Sequence, residues 1–399
     1  MRHVANRVGK NNSSTRKPRL QRQTLTAPGQ PTYNFTSHRP PNPNLALLSF
    51  HNTHQTLKMS DAFHPYADLY VNPSGPGDQR PTALRVVQDS GAKGTWAGRV
   101  VLVTGGTAGI GVETVRAMHS TGADVYFTAR SLEKAAATKE DVLKTSSGKG
   151  KLEVVEMDMD SLDSVRKAAK DFLGRSSKLN VLINNAGIMA CPYTKTKDGF
   201  ERQFAVNHLA HYLFTRLLLP TLISSSTPAF NSRIVNVSSS GHGMSPVNFD
   251  NYNFDQPDSY DPWLSYGQSK TANIWTASYL DRALGSRGVH ALSLHPGGIW
   301  TGLATYLPDE LVDSWKSDEK VSTQMLNPPQ GAATSVWAAV APVWEGKGGK
   351  YLTNCSVASN AAGTVEVLDP GAAPHAYDVQ AEDRLWELSA KLVGVEKDV

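Results

Sequence analysis

The sequence predicts an α/β protein with a single doubly wound domain, in which helices cover both faces of a mostly parallel sheet. From Arg99 onward, short apolar runs alternate with amphipathic patterns of helical length. This alternation is the order that βαβ units produce, and a parallel sheet needs helices on both faces. The first apolar run also leads through a glycine-rich turn into a helix. Turns of this kind receive phosphate groups in doubly wound domains.

The predicted strands and helices follow one another without an intervening linker. Strands are expected at 99–104, 124–128, 152–157, 179–183, 233–237, 289–294 and 350–353. Helices are expected at 111–120, 132–143, 162–173, 200–219, 266–284, 308–315, 330–341 and 381–392. Because crossovers between parallel strands are right-handed, this order predicts one domain from about residue 95 to 399.

The N-terminal part of the chain has a different composition. Residues 1–58 are rich in Asn, Ser, Thr and Pro and carry nine basic but no acidic side chains, which predicts a disordered basic extension. Three explanations stay open: a transit segment, an arm that contacts an anionic partner, or a gene-model artefact upstream of Met59. We favour the third. Residues 59–94, punctuated by Pro and Gly, are expected to form an N-terminal arm with a short helix near 81–87.

Composition limits the kind of protein. The net charge is +4, but it comes from the basic extension, so charge does not indicate a nucleic-acid partner for the folded part. Cys191 and Cys355 cannot form a disulfide framework and have no CxxC spacing, which favours a reducing compartment and predicts no zinc site. No apolar run approaches the roughly 20 residues of a transmembrane helix. A cytoplasmic location is expected, or a mitochondrial one if 1–58 is a transit segment.

Two motifs carry the chemistry. In the stretch 104–111, Gly105, Gly109 and Gly111 allow a tight turn and the close approach of a pyrophosphate to the helix N-terminus. Farther along, Tyr266 and Lys270 are four residues apart, so a helix places both side chains on one face. A phenol has a pKa of about 10, and a nearby positive charge favours its ionised form. This pair suits general acid–base work on an alcohol or carbonyl oxygen.

The GxxxGxG spacing, together with Tyr266 and Lys270, resembles the short-chain dehydrogenase/reductase family, and the resemblance extends over nearly all of 97–394. Further family motifs follow in order: the NNAG motif at 184–187, Asn207, the serine segment 238–240, Pro296-Gly297 and Thr301. The insert 248–265, the stretch 268–273 and the tail 385–392 resemble the branch of retinol dehydrogenases and WW-domain oxidoreductases. Because the sequence has neither an apolar anchor nor WW modules, retinoid turnover is not expected.

The resemblance implies a Rossmann-type fold and a role for each matching residue. Ser239 would orient the substrate oxygen, Tyr266 would donate or remove its proton, Lys270 would assist Tyr266, and Asn207 would hold a connecting water. The positions expected to bind the cofactor are Gly105, Thr107, Gly109, Ile110, Gly111, Arg130, Asp158, Asn185, Ala186, Gly187, Tyr266, Lys270, Pro296, Gly297 and Thr301.

The end of the second strand indicates which dinucleotide binds. The stretch 125–130 has no acid to receive a ribose diol, and Arg130 has the geometry to bind a 2′-phosphate. In this branch an arginine here implies NADP(H), and NAD is the alternative. Asp158 resembles the residue that contacts the adenine ring, or it is simply an acid at a helix N-terminus.

The substrate is expected to contact the segments 241–265 and 300–329, the second acting as a lid. Its aromatic and apolar side chains favour a small hydrophobic carbonyl or alcohol, although they could equally fill the core or a homo-oligomer interface. His208, His211 and His295 are interpreted as structural, with no metal site. Two other classes stay open: a cofactor-binding regulator or scaffold without turnover, and a binding protein that acts through its basic arm.

Overall fold

The computed structural model describes residues 61–361 and 368–398, so the predictions for 1–58 lie outside it. The strands are β1 (Val100–Val103), β2 (Asp124–Ala129), β3 (Leu152–Glu156), β4 (Val181–Asn184), β5 (Ser232–Val237), β6 (Val289–His295), β7 (Tyr351–Thr353) and β8 (Ser356–Val357). They form one sheet in the order β3-β2-β1-β4-β5-β6-β7-β8. All neighbours pair in parallel except β7 and β8. The predicted fold class is confirmed.

Helices cover both faces of this sheet. They are α1 (Ala83–Asp89), α2 (Gly109–Ser120), α3 (Leu132–Thr145), α4 (Leu162–Arg175), α5 (Arg202–Phe204), α6 (Ala210–Ser225), α7 (Pro262–Leu284), α8 (Asp309–Ser317), α9 (Glu319–Gln324), α10 (Pro328–Gly331), α11 (Ala333–Val340) and α12 (Val379–Val393). Side chains of α1, α2, α3 and α11 form one core with the sheet, and those of α4, α6, α7 and α12 form the other. In the described part of the chain, no helix is long and apolar enough to cross a membrane.

Several element boundaries differ from the sequence prediction. The helix expected at 200–219 is broken, because a π-helical turn (Ala205–Leu209) separates α5 from α6. Helix α7 begins at Pro262, four residues before the predicted start, because the Asp261 carboxylate accepts hydrogen bonds from Trp263 N and Leu264 N at 2.8 Å each. The helix expected at 330–341 is divided at Ala332 into α10 and α11, whereas the short helix α9 and the antiparallel strand β8 were not predicted.

The strand order explains where a ligand can bind. Strands β1 and β4 are adjacent but not consecutive, so the connections after them run to opposite faces of the sheet and open a crevice at their carboxyl ends. A cavity of about 930 Å³ lies at this edge. The glycine turn, the ends of β4, β5 and β6, and the start of the predicted lid line it. The fold therefore brings the sequence motifs to one place.

Candidate active site

The turn after β1 has the geometry that its glycines allow. Gly105 and Gly109 have φ of +69° and +53°, values that side chains with a Cβ rarely adopt. A Cβ at Gly111 would run into the carbonyl oxygen of Gly105, and one at Gly109 would lie 3.0 Å from the methyl group of Thr301. Thus the turn needs glycine at all three positions.

The N-terminus of α2 faces the cavity without a side-chain cap. In contrast, side chains of Ser131, Ser161 and Asp261 cap α3, α4 and α7, whereas Ala108 offers no side-chain acceptor to α2. The free N–H groups and the positive end of the helix dipole suit an anion. Since Thr107, Gly109 and Ile110 line the cavity there, the turn fits the pyrophosphate of a dinucleotide.

The NNAG motif is tied to the glycine turn through Thr104. Its hydroxyl oxygen accepts hydrogen bonds from Asn185 N at 2.8 Å and Ala186 N at 3.0 Å. The Asn185 amide in turn donates to Thr104 O at 2.9 Å. A Cβ at Gly187 would lie 3.2 Å from Asn207 Oδ1 and 3.4 Å from Lys270 Nζ. The motif therefore joins the cofactor turn to the residues at the centre of the site.

Tyr266 and Lys270 lie side by side on α7, as their spacing predicted, and both are 3% exposed. Lys270 Nζ lies 5.6 Å from the centre of the Tyr266 ring and donates to Val237 O at 3.2 Å. Burial raises the pKa of Tyr266 to about 12, and a hydrogen bond with Ser239 opposes this rise. Burial lowers the pKa of Lys270 to about 8. Burial is thus the largest influence on the phenol in the folded protein, and it favours the protonated form.

The three serines of this segment each have a different hydrogen-bond partner. Ser238 donates to the carbonyl oxygen of Lys270 at 2.7 Å and is buried. The hydroxyl of Ser239 accepts from Gly241 N at 3.0 Å. It lies next to the Tyr266 ring, since a Cβ at Gly241 would be 3.4 Å from Ser239 Oγ and 2.8 Å from Tyr266 Cε1. Ser240 donates its backbone N–H to His295 Nδ1 at 3.1 Å. Ser239 is therefore the serine whose hydroxyl meets the phenol at the cavity.

Asn207 lies in the π-helical turn and is fully buried. Its side chain accepts from Ile188 N at 2.9 Å and donates to Ile188 O at 2.9 Å and Ser269 Oγ at 3.0 Å. The backbone carbonyl oxygen of Asn207 accepts from His211 Nδ1 at 2.9 Å. The other ring nitrogen, His211 Nε2, pairs with the Thr104 hydroxyl at 2.8 Å. Asn207 thus fixes the loop after β4 beside Lys270.

At the far end of the cavity, Arg130 and Lys134 line the same wall as Asp158. Arg130 is exposed, and neither cation has an ion-pair partner within residues 61–361 and 368–398. Asp158 Oδ1 accepts from Asp160 N at 3.1 Å at the start of α4. Lys134 was not singled out from the sequence, although it follows Arg130 by four residues in the first turn of α3.

The loop after β6 lies between the cofactor turn and the predicted lid. Pro296, Gly297 and Thr301 all line the cavity, and Gly297 has φ of +98°. The lid contributes Trp300, Leu307, Leu311, Trp315 and Met325 to the same wall. These side chains make this half of the cavity apolar and aromatic.

Trp263 lines the cavity and lies in the segment 241–265 that was expected to contact the substrate, although it was not named individually. Its ring packs edge-on against Tyr266 at 6.5 Å between centres and against Trp315 of the lid at 6.3 Å. The signal was present, because Pro262 is favoured at the first position of a helix, and a helix that begins there places Trp263 on the same face as Tyr266.

The three histidines interpreted as structural are each buried and hydrogen-bonded. His208 Nε2 pairs with Ser389 Oγ at 2.7 Å, and burial lowers its pKa to about 3. Burial also lowers the pKa of His211 to about 4 and that of His295 to about 3. Within residues 61–361 and 368–398, no group of three or more His, Cys, Asp and Glu side chains could hold a metal ion.

The site as a whole defines a class of protein. An uncapped helix N-terminus at the crevice of a doubly wound sheet fits a dinucleotide, and a buried Tyr, Lys and Ser lie farther along the same cavity. That combination is typical of oxidoreductases that use a nicotinamide dinucleotide.

Comparisons with known proteins identify the family. The short chain dehydrogenase family matches residues 99–253. The protein is 46% identical to "Short-chain dehydrogenase/reductase prx1" of Penicillium roqueforti, over 83% of this chain and 95% of that protein. It is 36% identical to "Retinol dehydrogenase 14" of Mus musculus, over 81% of this chain and 92% of that protein. The crystal structure of a putative uncharacterized protein from Mycobacterium paratuberculosis is similar, with a TM-score of 0.58 and 31% identity over 78% and 98% of the two chains. The chain belongs to the short-chain dehydrogenase/reductase family, as the sequence motifs predicted.

Proposed function

We propose that this oxidoreductase interconverts a small hydrophobic carbonyl compound and its alcohol with NADP(H). The observation that carries the proposal is that Tyr266, Ser239 and Lys270 line one cavity with an apolar lid. A substrate oxygen that meets both hydroxyls receives one hydrogen bond for orientation and one proton for reaction.

Each residue of the site has a defined task in this reaction. When bound, a nicotinamide dinucleotide would supply the hydride in reduction and accept it in oxidation. Tyr266 gives its proton to the substrate oxygen in reduction, and Ser239 holds that oxygen in place. Lys270, close to the phenol, stabilises the negative charge that develops on Tyr266 when its proton leaves. Because burial raises the pKa of Tyr266 to about 12, the protonated form needed for carbonyl reduction prevails near neutral pH.

The preference for NADP(H) rests on Arg130 and Lys134. Both line the cavity beyond the glycine turn, and a guanidinium with a nearby ammonium suits a 2′-phosphate. We expect Arg130→Asp to lower the preference for NADPH over NADH by about 10- to 100-fold, the worth of one or two charge-assisted hydrogen bonds. The ratio of kcat/KM values for the two cofactors measures it.

The matched control for this variant is Lys139→Asp, which likewise replaces a basic side chain with an acidic one, but at a position on α3. Lys139 pairs with Glu153 at 3.4 Å and does not line the cavity. The Lys139→Asp variant should therefore have the wild-type preference between NADPH and NADH. If Arg130→Asp keeps the wild-type preference for NADPH, the assignment of the 2′-phosphate to Arg130 is wrong.

The hydrophobic substrate class follows from the walls of the cavity. Trp263, Trp315 and Met325 line the cavity, and Trp263 packs against Tyr266. Pockets of this composition bind apolar ligands with few polar anchors. The name of the mouse relative, a retinol dehydrogenase, supports an apolar alcohol or carbonyl but does not select one.

Turnover with a set of carbonyl compounds tests the proposal. We would follow NADPH oxidation with aliphatic, aromatic and steroid-like ketones and aldehydes, and measure NADPH binding by fluorescence. Turnover highest on the apolar members supports the proposed reaction. Cofactor binding without turnover on any carbonyl or alcohol would instead support a regulator or scaffold, and no binding of either dinucleotide would contradict both functions.

A further inference from the structure

A buried arginine of the N-terminal arm holds the end of the lid. Arg80 is 5% exposed, and its guanidinium donates to three consecutive carbonyl oxygens: Thr323 at 3.2 Å, Gln324 at 2.7 Å and Met325 at 2.7 Å. These carbonyls lie at the C-terminal end of α9, where backbone acceptors have no partner within the helix. Arg80 Nε also donates to Asp78 Oδ1 at 2.9 Å, so the charge is paired where it is buried.

A second side chain joins the same two segments a few residues later. The amide oxygen of Gln330 accepts from Gly77 N at 2.8 Å. Its amide nitrogen donates to Asp78 Oδ1 at 3.1 Å and to Arg80 O at 3.3 Å. The arm residues 77–80 thus hold both ends of the segment 323–330 by hydrogen bonds.

The segment held in this way forms part of the active-site wall. Met325 lines the cavity, and Leu326 N donates to Gly298 O at 2.8 Å in the loop after β6. A Cβ at Gly298 would lie 2.7 Å from the Met325 sulfur. The segment 323–330 therefore lies between the arm on one side and the loop beside the cofactor turn on the other.

We infer that Arg80 is a positioning residue that fixes the lid against the active site, so that the N-terminal arm shapes the substrate cavity from outside it. Without the guanidinium, three carbonyl oxygens lose their donor and the end of α9 loses its attachment. The lid then opens locally more often, because local opening depends on such attachments. The effect on substrate rests on the proposed function, whereas the effect on lid opening does not.

Limited trypsin digestion of the full chain tests the inference without any substrate. Lys316 and Lys320 are exposed lid residues, and Lys144 at the end of α3 is an exposed reference far from them in sequence. We expect Arg80→Met to raise the rate of cleavage after Lys316 and Lys320, relative to that after Lys144, by about fivefold or more. Arg80→Lys should fail to restore the wild-type ratio, since one ammonium cannot replace the guanidinium fork.

The matched control is Arg85→Met. This arginine also belongs to the arm, but its side chain is 50% exposed and pairs with Asp89 within α1. In Arg85→Met, the rate of cleavage after Lys316 and Lys320 relative to that after Lys144 should equal the wild-type value. If Arg80→Met does not fold, Gln330→Met removes the second attachment and should change the ratio in the same direction. Equal ratios in the wild type and the folded Arg80 or Gln330 variant would overturn the inference.

Kinetics then connect the lid to the substrate. We expect Arg80→Met to raise KM for the carbonyl substrate by about tenfold while the Kd for NADPH stays within twofold of wild type, as roughly expected for a contact remote from the glycine turn. Faster lid cleavage in a protein that turns over no carbonyl would support Arg80's role and contradict the proposed function. An unchanged KM with an increased Kd for NADPH would contradict the link between Arg80 and the substrate.

Discussion

Replacing Tyr266 with Phe should lower kcat for carbonyl reduction by about 10²–10⁴-fold, the range that a positioned acid contributes. The substitution removes only the hydroxyl, which is the proton donor in the proposed reaction. The ring itself stays packed, because it lies against Trp263 at 6.5 Å and meets Gly241 closely. Cofactor binding should therefore survive, and comparing kcat with the Kd for NADPH separates the two effects.

A matched control for this prediction is Tyr193→Phe. The Tyr193 side chain is exposed, and its hydroxyl donates to Asn253 O at 3.3 Å, outside the cavity. The Tyr193→Phe variant should therefore have the wild-type kcat. If Tyr266→Phe retained more than about a tenth of wild-type activity, another group would have to supply the proton, because water alone does not replace a positioned acid.

The parts of the site that could be predicted from sequence are those specified by short, local patterns. Gly105, Gly109 and Gly111 are required by backbone geometry within a single turn. Tyr266 and Lys270 share a face because of helical periodicity alone. The strands were predictable because all four residues of β1 and of β4 are buried, so they occur as continuous apolar runs.

What could not be predicted depends on residues that are distant in sequence. Arg80 donates to the carbonyl oxygen of Met325, which is 245 positions away in the sequence. Nothing in the pattern of the Pro/Gly-rich arm predicts that contact. The pKa of Tyr266 rises because the fold buries it, and burial is a tertiary property that the spacing to Lys270 does not encode. The early start of α7 was different, since Asp261 and Pro262 are recognisable signals of a helix start.

Acidification to pH 5 should destabilise the protein strongly, because four histidines are buried in neutral form. Burial holds the pKa of His208 and His295 at about 3 and that of His211 and His242 at about 4. The unfolded chain, with histidine pKa values of about 6.5, binds protons at pH 5 that the folded chain does not. The contribution of these histidines to stability is therefore fully present above about pH 6.5. It is lost as the pH falls towards their pKa values in the folded protein.

The size of this loss can be bounded and measured. Lowering the pH from 7.5 to 5 should reduce the free energy of unfolding by on the order of 2 kcal/mol for each histidine. The four together approach a large part of the stability of an ordinary domain. Urea unfolding at the two pH values measures the difference. Burial raises the pKa of Glu201, and this single carboxyl opposes the trend set by the four histidines. A free energy of unfolding that stays constant between pH 7.5 and 5 would mean that these histidines are protonated in the folded protein, in conflict with their burial.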